Sequence, residues 1–199
     1  MKVEKWLKFF KQNYQKKLFS LTDLQQLTGI NKDTLSVQLT RLTKSGVIKR
    51  IAKKWYENPF SPPSNEEIAM VIRHPSYLSL EYALSKHNIL SQTPYTLTLI
   101  TIKLPYVFKT KQTVYEYHQI KKSLFWGYVN DLTINTAEPE KALLDLIYIR
   151  CIKNKELTKK GLKSMVNDMT MDEFDKKKLN TYLTKYGPGT KKILNEIKL

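Results

Sequence analysis

The sequence has 199 residues, with 34 Lys or Arg against 18 Asp or Glu, and a formal net charge of +16 at pH 7. This length suits one domain or two smaller ones, and a hydrophobic fraction of 41% is enough for a packed core, which argues against a disordered chain. Such a large excess of positive charge indicates a polyanionic partner, and nucleic acid is the first candidate.

Several classes of protein are disfavoured by what the sequence lacks. No run approaches the roughly 18–20 apolar residues of a membrane-spanning helix, and the charged start has no apolar signal core, so we expect a cytoplasmic protein without membrane contact. The single cysteine, Cys151, excludes an internal disulfide, and its apolar neighbours predict that it is buried rather than reactive. Histidines and cysteine are not clustered with zinc-ligand spacing, so we expect no metal and no other cofactor.

The clearest domain boundary is the segment 58–65, which contains three prolines. Proline cannot continue a helix or a central strand, so we predict an N-terminal domain over residues 1–60 and a C-terminal domain over residues 61–199. Residues 1–60 contain 13 Lys/Arg and 4 Asp/Glu, while the rest of the chain contains 21 and 14. The density of net positive charge is thus about three times higher in the N-terminal segment, which places the anion-binding surface there.

Three helices are predicted in the N-terminal segment. Apolar residues at helical spacing predict the first over residues 2–13. Ser20 and Asp23 have the spacing of a capping box at the start of the second, which ends at Gly29. Asn31 can cap a third helix that extends to about residue 45. The leucines expected to face inward from the second and third helices are Leu21, Leu24, Leu27, Leu35, Leu39 and Leu42.

Two short helices joined by a glycine-containing turn are typical of a helix-turn-helix. Strands predicted over 47–51 and 55–57 would form a hairpin, or wing, with residues 52–54 at its tip. We therefore predict a winged helix-turn-helix that binds double-stranded DNA with its third helix in the major groove. The candidate DNA-contacting residues are the outward residues of that helix and the cations of the hairpin: Asn31, Lys32, Thr34, Ser36, Val37, Gln38, Arg41, Lys44, Lys49, Arg50, Lys53 and Lys54.

The chemistry of these side chains suggests separate roles. Gln38 can read adenine and Arg41 can read guanine through paired hydrogen bonds, while Thr34 or Val37 can touch a thymine methyl group. The hydroxyls and the hairpin cations suit phosphates, which position the protein without specifying sequence and make binding salt dependent. A basic face used for protein contact is the alternative interpretation of the same pattern.

The C-terminal segment predicts a mixed α/β domain with a helical tail, so the fold class of the whole chain is α+β. Alternating and β-branched residues predict strands over 96–102, 114–120 and 133–137. Helices are expected near 66–73, after Ser79, from Pro139, and near 156–168, 172–186 and 188–198. The many tyrosines of this segment would suit a protein interface if they are exposed.

Catalytic signatures are scarce in the C-terminal segment. It has no Gly-rich phosphate loop, no nucleophile elbow and no metal-ligand spacing, so we predict that the chain is not an enzyme. Three carboxylates could be imagined as acid–base pairs, namely Glu138, Glu140 and Asp145. We interpret them instead as helix-capping and exposed charges.

Four runs of residues carry a family resemblance: 24–30 (LQQLTGI), 75–84 (PSYLSLEYAL), 125–127 (FWG) and 137–145 (AEPEKALLD). In this order, the chain resembles the AbiEi family of antitoxins from type IV toxin–antitoxin, or abortive infection, systems. The resemblance implies an N-terminal domain that represses the shared promoter at repeated DNA sites and a C-terminal domain that supplies antitoxicity. It also implies a neighbouring toxin similar to nucleotidyltransferases, without saying whether the two proteins touch.

One position departs from the family pattern. Asn88 stands where the family has glycine. Asparagine tolerates the left-handed backbone conformation, so we expect the preceding helix to end as it would at glycine.

The sequence leaves three functions open. The first is an antitoxin that is also the DNA-binding autorepressor of its own operon. The second is a ligand-responsive winged-helix transcription factor, which would need a formed pocket in the C-terminal domain. The third is an enzyme in that domain that counteracts a toxin's product, which would need polar residues with shifted pKa values in a cleft.

Overall fold

The computed structural model describes residues 1–92 and 94–197, which form a mixed α+β protein, as predicted. The chain divides into two compact units, Met1–Ile72 and Arg73–Leu199. The predicted boundary after residue 60 lies inside the first unit, because the prolines lead into a further helix of that unit. Lys17 pairs with Glu67 of this helix at 3.0 Å.

The first unit combines four helices with a three-stranded antiparallel sheet. The helices are α1 (Val3–Gln12), α2 (Leu21–Thr28), α3 (Lys32–Lys44) and α4 (Asn65–Ile72), and the strands are β1 (Leu18–Ser20), β2 (Arg50–Ala52) and β3 (Trp55–Glu57). β3 lies between β1 and β2. β1 was not predicted, since three residues are too few to show an alternating pattern, and β2 begins later in the chain than predicted.

Side-chain caps determine where α2 and α3 begin, as predicted. The Ser20 hydroxyl accepts a hydrogen bond from the Asp23 N–H (3.0 Å), and the Asp23 carboxylate accepts one from the Ser20 N–H (2.9 Å). Gly29 ends α2 with a left-handed φ of +67°. Asn31 Oδ1 accepts a hydrogen bond from the Asp33 N–H (2.9 Å) at the start of α3. These caps pair N–H groups that the first turn of a helix leaves unsatisfied.

Aromatic side chains of α1 form the centre of the first core. Trp6 and Phe10 are fully buried and pack together with Phe19 and the inward leucines of α2 and α3. Leu27 was predicted to face inward, but it is 53% exposed. Helical residues three apart are turned by about 60°, so the third leucine of the α2 series lies about 120° from the first and leaves the buried face.

The buried amide of Asn58 fastens the chain after β3 to the end of α1. Its Nδ2 donates to the carbonyl oxygens of Phe10, Asn13 and Lys16 at 3.0–3.1 Å, and its Oδ1 accepts a hydrogen bond from the Phe60 N–H at 3.0 Å. The Phe10 and Asn13 carbonyls also accept main-chain hydrogen bonds, from the Asn13 and Lys16 N–H groups, so the amide adds a second donor to each of them.

The second unit contains a six-stranded mixed sheet and five α-helices among its described residues. The strands are β4 (Ser76–Leu78), β5 (Thr96–Thr101), β6 (Tyr106–Lys109), β7 (Val114–Gln119), β8 (Tyr128–Asp131) and β9 (Ile134–Ala137), in the spatial order β6-β7-β5-β4-β9-β8. The helices are α5 (Leu80–Lys86), α6 (Pro139–Leu146), α7 (Lys159–Asn167), α8 (Lys176–Leu183) and α9 (Pro188–Glu196). A turn of π-helix, Ile147–Lys153, continues α6.

Most of the elements predicted for this unit are confirmed. β5, β7 and β9 lie where the alternating residues predicted them, whereas the short strands β4, β6 and β8 were missed. Asn88 adopts a φ of +59° just after α5, so the helix ends as expected. The last predicted helix, 188–198, corresponds to α9, and Lys198 lies outside the described residues.

A buried ion pair lies inside the second unit. Lys141 and Asp145, one turn apart on α6, have no exposed surface and are joined by a short hydrogen bond. Lys141 Nζ also donates to the hydroxyls of Tyr77 (2.9 Å) and Tyr186 (2.7 Å). Both hydroxyls and that of Ser79 donate to the Asp145 carboxylate at 2.7–2.9 Å. Burial lowers the pKa of Lys141, and the Asp145 charge opposes that shift.

These contacts correct the interpretation of three carboxylates as capping and exposed charges. Asp145 is fully buried, Glu140 is 3% exposed, and Glu138 pairs with Lys178 at 2.8 Å. Lys141 is a near neighbour of Asp145, but the hydroxyls that also bind Asp145 and the lysine that pairs with Glu138 come from distant parts of the chain. A helical pattern around residue 140 does not show them.

Three of the runs that carry the family resemblance meet at this ion pair. Tyr77 belongs to the run 75–84, and Lys141 belongs to the run 137–145. Trp126 belongs to the run 125–127, and its ring centroid lies 5.2 Å from Lys141 Nζ. A Cβ atom on Gly127 would lie 3.1 Å from carbons of the Lys141 side chain, so a larger residue there would press on the buried lysine.

We expect Lys141→Met to lower the free energy of unfolding of the second unit by about 3–5 kcal/mol, because it leaves the Asp145 carboxylate buried without its cation. The double variant Lys141→Met/Asp145→Leu should be less destabilised, since neither charge remains to be buried. Urea unfolding followed by far-ultraviolet circular dichroism measures both variants. A double variant that is less stable than the single one would contradict the importance of charge balance.

Candidate nucleic-acid interface

The outer face of α3 holds most of the predicted contact residues. Leu35 and Leu39 are fully buried and Leu42 is 4% exposed, which turns the opposite face of the helix toward solvent. The exposed residues of α3 are Lys32, Asp33, Thr34, Val37, Thr40, Arg41 and Lys44. Asn31 is exposed at the cap, and Ser36 is half-buried at the edge of this face.

Two residues of this face were not predicted. Thr40 lies on the same side as Val37 and Lys44, because residues three and four apart share a helix face. Its hydroxyl donates to the Ser36 carbonyl at 2.8 Å, so it presents its methyl group outward. Asp33 is also exposed, and as an acceptor it could meet only donor groups of the bases. The helical period alone was sufficient to find both.

The β2–β3 hairpin carries the second group of predicted residues, and all four of its cations are exposed. Lys53 and Lys54 form the two-residue tip between the strands. Arg50 Nε donates to the Ala52 carbonyl at 3.3 Å, and Lys49 pairs with Glu57 at 3.3 Å. The tip lysines therefore carry the charge that is least compensated.

Three carboxylates of the first unit pair with cations that lie outside α3. Asp23 pairs with Lys16 at 3.1 Å, Glu67 pairs with Lys17, and Glu57 pairs with Lys49. The cations without a carboxylate partner among the described residues include Lys32, Arg41, Lys44, Lys53 and Lys54. Positive charge is thus left uncompensated along α3 and at the hairpin tip, where a polyanion would gain most from it.

Gln38 is turned toward α1 rather than outward. Its Oε1 accepts a hydrogen bond from Trp6 Nε1 at 3.0 Å, and the main-chain nitrogen of Met1 donates to the same oxygen at 2.7 Å. Reading adenine requires both the oxygen and the nitrogen of a glutamine amide. Because the oxygen is already engaged, the structure favours a positioning role for Gln38, in which it joins α3 to α1.

The chain matches no protein-family model and no curated protein. Within residues 1–92 and 94–197, no helix is long and apolar enough to cross a membrane, and no group of three or more His, Cys, Asp or Glu side chains could hold a metal ion.

The second unit gives less support to the two alternative functions, a ligand-responsive transcription factor and an enzyme. Burial lowers the pKa of Lys141 and raises the pKa values of Tyr77 and Tyr186, but Lys141 and Asp145 are fully buried rather than placed in a cleft. Cys151 is half-buried, and burial raises the pKa of its thiol. A groove in this unit is lined by residues that include Glu81, Leu90 and Met165.

We expect Gln38→Ala to lower the free energy of unfolding of the first unit by about 1–3 kcal/mol, because it leaves the buried Trp6 N–H without an acceptor. Any loss of DNA affinity should be equal for the target and for random DNA. Urea unfolding and mobility-shift titrations measure the two effects, with Thr43→Ala, a half-buried position of α3 outside the predicted contact residues, as the control. A selective loss of target binding at unchanged stability would restore the adenine-reading role.

Proposed function

We propose that residues 1–72 form a winged helix-turn-helix that binds double-stranded DNA sequence-specifically, with α3 in the major groove. The observation that supports this most is the outer face of α3, where exposed polar side chains lie among cations without carboxylate partners. The order of helices and the β1-β3-β2 sheet agree with the arrangement of a winged helix.

The dimensions of α3 suit this role. Its 13 residues make a rod about 20 Å long, and the major groove, about 12 Å wide, admits one α-helix. In this arrangement Arg41 reads guanine, and Thr34 and Val37 touch the methyl groups of thymine. Lys44 and the hairpin lysines bind phosphates on either side of the bases.

We further propose that the chain is an antitoxin of a type IV toxin–antitoxin system and the repressor of its own promoter. This part depends on the resemblance to the AbiEi family, and the meeting of three of its residue runs at the buried Lys141–Asp145 pair supports it. The second unit would then carry the antitoxicity. The same proposal places the protein in the cytoplasm, beside its promoter.

Mobility-shift titrations against the DNA upstream of its own gene, with random DNA of equal length as control, test the DNA-binding proposal. We expect a preference for the upstream DNA that persists at higher salt. Arg41→Lys should reduce this preference by roughly 5- to 150-fold, because lysine keeps the charge but loses the two-pronged contact with guanine. Lys44→Arg is the matched control and should leave the preference unchanged. Equal, salt-labile binding of the wild type to both DNAs would refute sequence-specific regulation.

The antitoxin proposal has a separate test. We expect a toxin reading frame beside the gene and repeated sites in the shared promoter, and we expect the full chain to restore growth when that toxin is co-expressed. Arg41→Ala should still restore growth, because it changes only DNA binding. Absence of the toxin frame and of the repeats would contradict this assignment.

A further inference from the structure

A second cationic surface lies on α1, beside α3. The lysines of the helix are Lys5, Lys8 and Lys11, and Lys2 is the residue that directly precedes its first turn. All four are exposed, and none has a carboxylate partner among the described residues. Their spacing of three residues turns each by about 60° from the one before, so the four lysines do not share one face of the helix.

Trp6 shows which of these lysines face α3. Its ring is fully buried, and its Nε1 donates to Gln38 of α3. On a helical projection Lys2 lies within about 40° of Trp6, and Lys5 lies about 100° away on the same side. Lys8 and Lys11 lie about 140–160° from Trp6, on the face turned away from the core.

Gln38 also shows which edge of α3 the start of α1 approaches. The main-chain nitrogen of Met1 lies 2.7 Å from Gln38 Oε1, so the backbone just before Lys2 contacts this residue. Thr34 and Arg41 are four residues before and three residues after Gln38, and therefore share its side of α3. Both are exposed on the face proposed to enter the groove.

We infer that Lys2 and Lys5 bind the phosphates of the DNA strand that borders the groove along the Thr34–Arg41 edge of α3. This inference rests on the proposed DNA binding. Duplex DNA is the occupant that fits, because the lysines continue the uncompensated positive surface of α3, and ammonium groups bind phosphates as point charges. These contacts fix how α3 is placed on the duplex and read no sequence.

The test compares two double variants that remove the same charge from the same helix, Lys2→Gln/Lys5→Gln and Lys8→Gln/Lys11→Gln. Each is titrated against the upstream duplex and a random duplex over a series of salt concentrations. We expect Lys2→Gln/Lys5→Gln to weaken binding to both duplexes and to reduce the slope of log affinity against log salt by about 2, since two phosphate contacts are lost. Lys8→Gln/Lys11→Gln should leave the slope unchanged.

Neutral methylphosphonates, placed one at a time along the upstream duplex, provide a second readout. At the phosphates bound by α1, this substitution should weaken the wild type and have no further effect on Lys2→Gln/Lys5→Gln. Equal slopes for the two double variants would overturn the inference, as would methylphosphonate patterns that do not differ from the wild type. Circular dichroism confirms that both variants are folded.

The outcomes separate this inference from the proposed function. If the wild type binds its upstream DNA and Arg41→Lys loses the preference while the two double variants behave alike, only the role of α1 is refuted. If the wild type shows no preference for its upstream DNA, the proposed function fails, whichever slopes the variants give.

Discussion

A lysine without exposed surface must find both a counter-charge and acceptors for its three hydrogens inside the protein, and this requirement organises the second unit. Lys141 meets it with the Asp145 carboxylate and the hydroxyls of Tyr77 and Tyr186. Tyr77 lies on β4, and Tyr186 follows α8. The sheet, α6 and the helical tail therefore all contact the Lys141–Asp145 pair. Moving any one of them would expose a charge of this pair or leave it without its partner.

Signals that act between close neighbours in sequence predicted the local structure well. The capping box of Ser20 and Asp23, the Asn31 cap and the alternating strands β5 and β7 depend on residues a few positions apart, and all are present. β1 and β4 were missed because three residues are too few to show an alternating pattern. Burial of Asp145 was also missed, because a partner such as Tyr186 lies 41 residues away.

At the candidate interface too, partners near in sequence were predictable and distant partners were not. The helical period of α3 placed Thr34, Val37 and Arg41 on the exposed side, where the structure has them. It could not place Gln38, since the residue that engages this amide is Trp6, 32 residues earlier. A helical projection gives the direction of a side chain but not the neighbour that stands in that direction.

The contacts of Asn58 have a consequence for how the first unit folds. They join residues 42 to 48 positions apart, so these hydrogen bonds can form only when the chain after β3 has returned to the end of α1. Closing such a long loop costs chain entropy before the new contacts contribute stability. During synthesis, these hydrogen bonds can form only after residue 58 has been added to the chain.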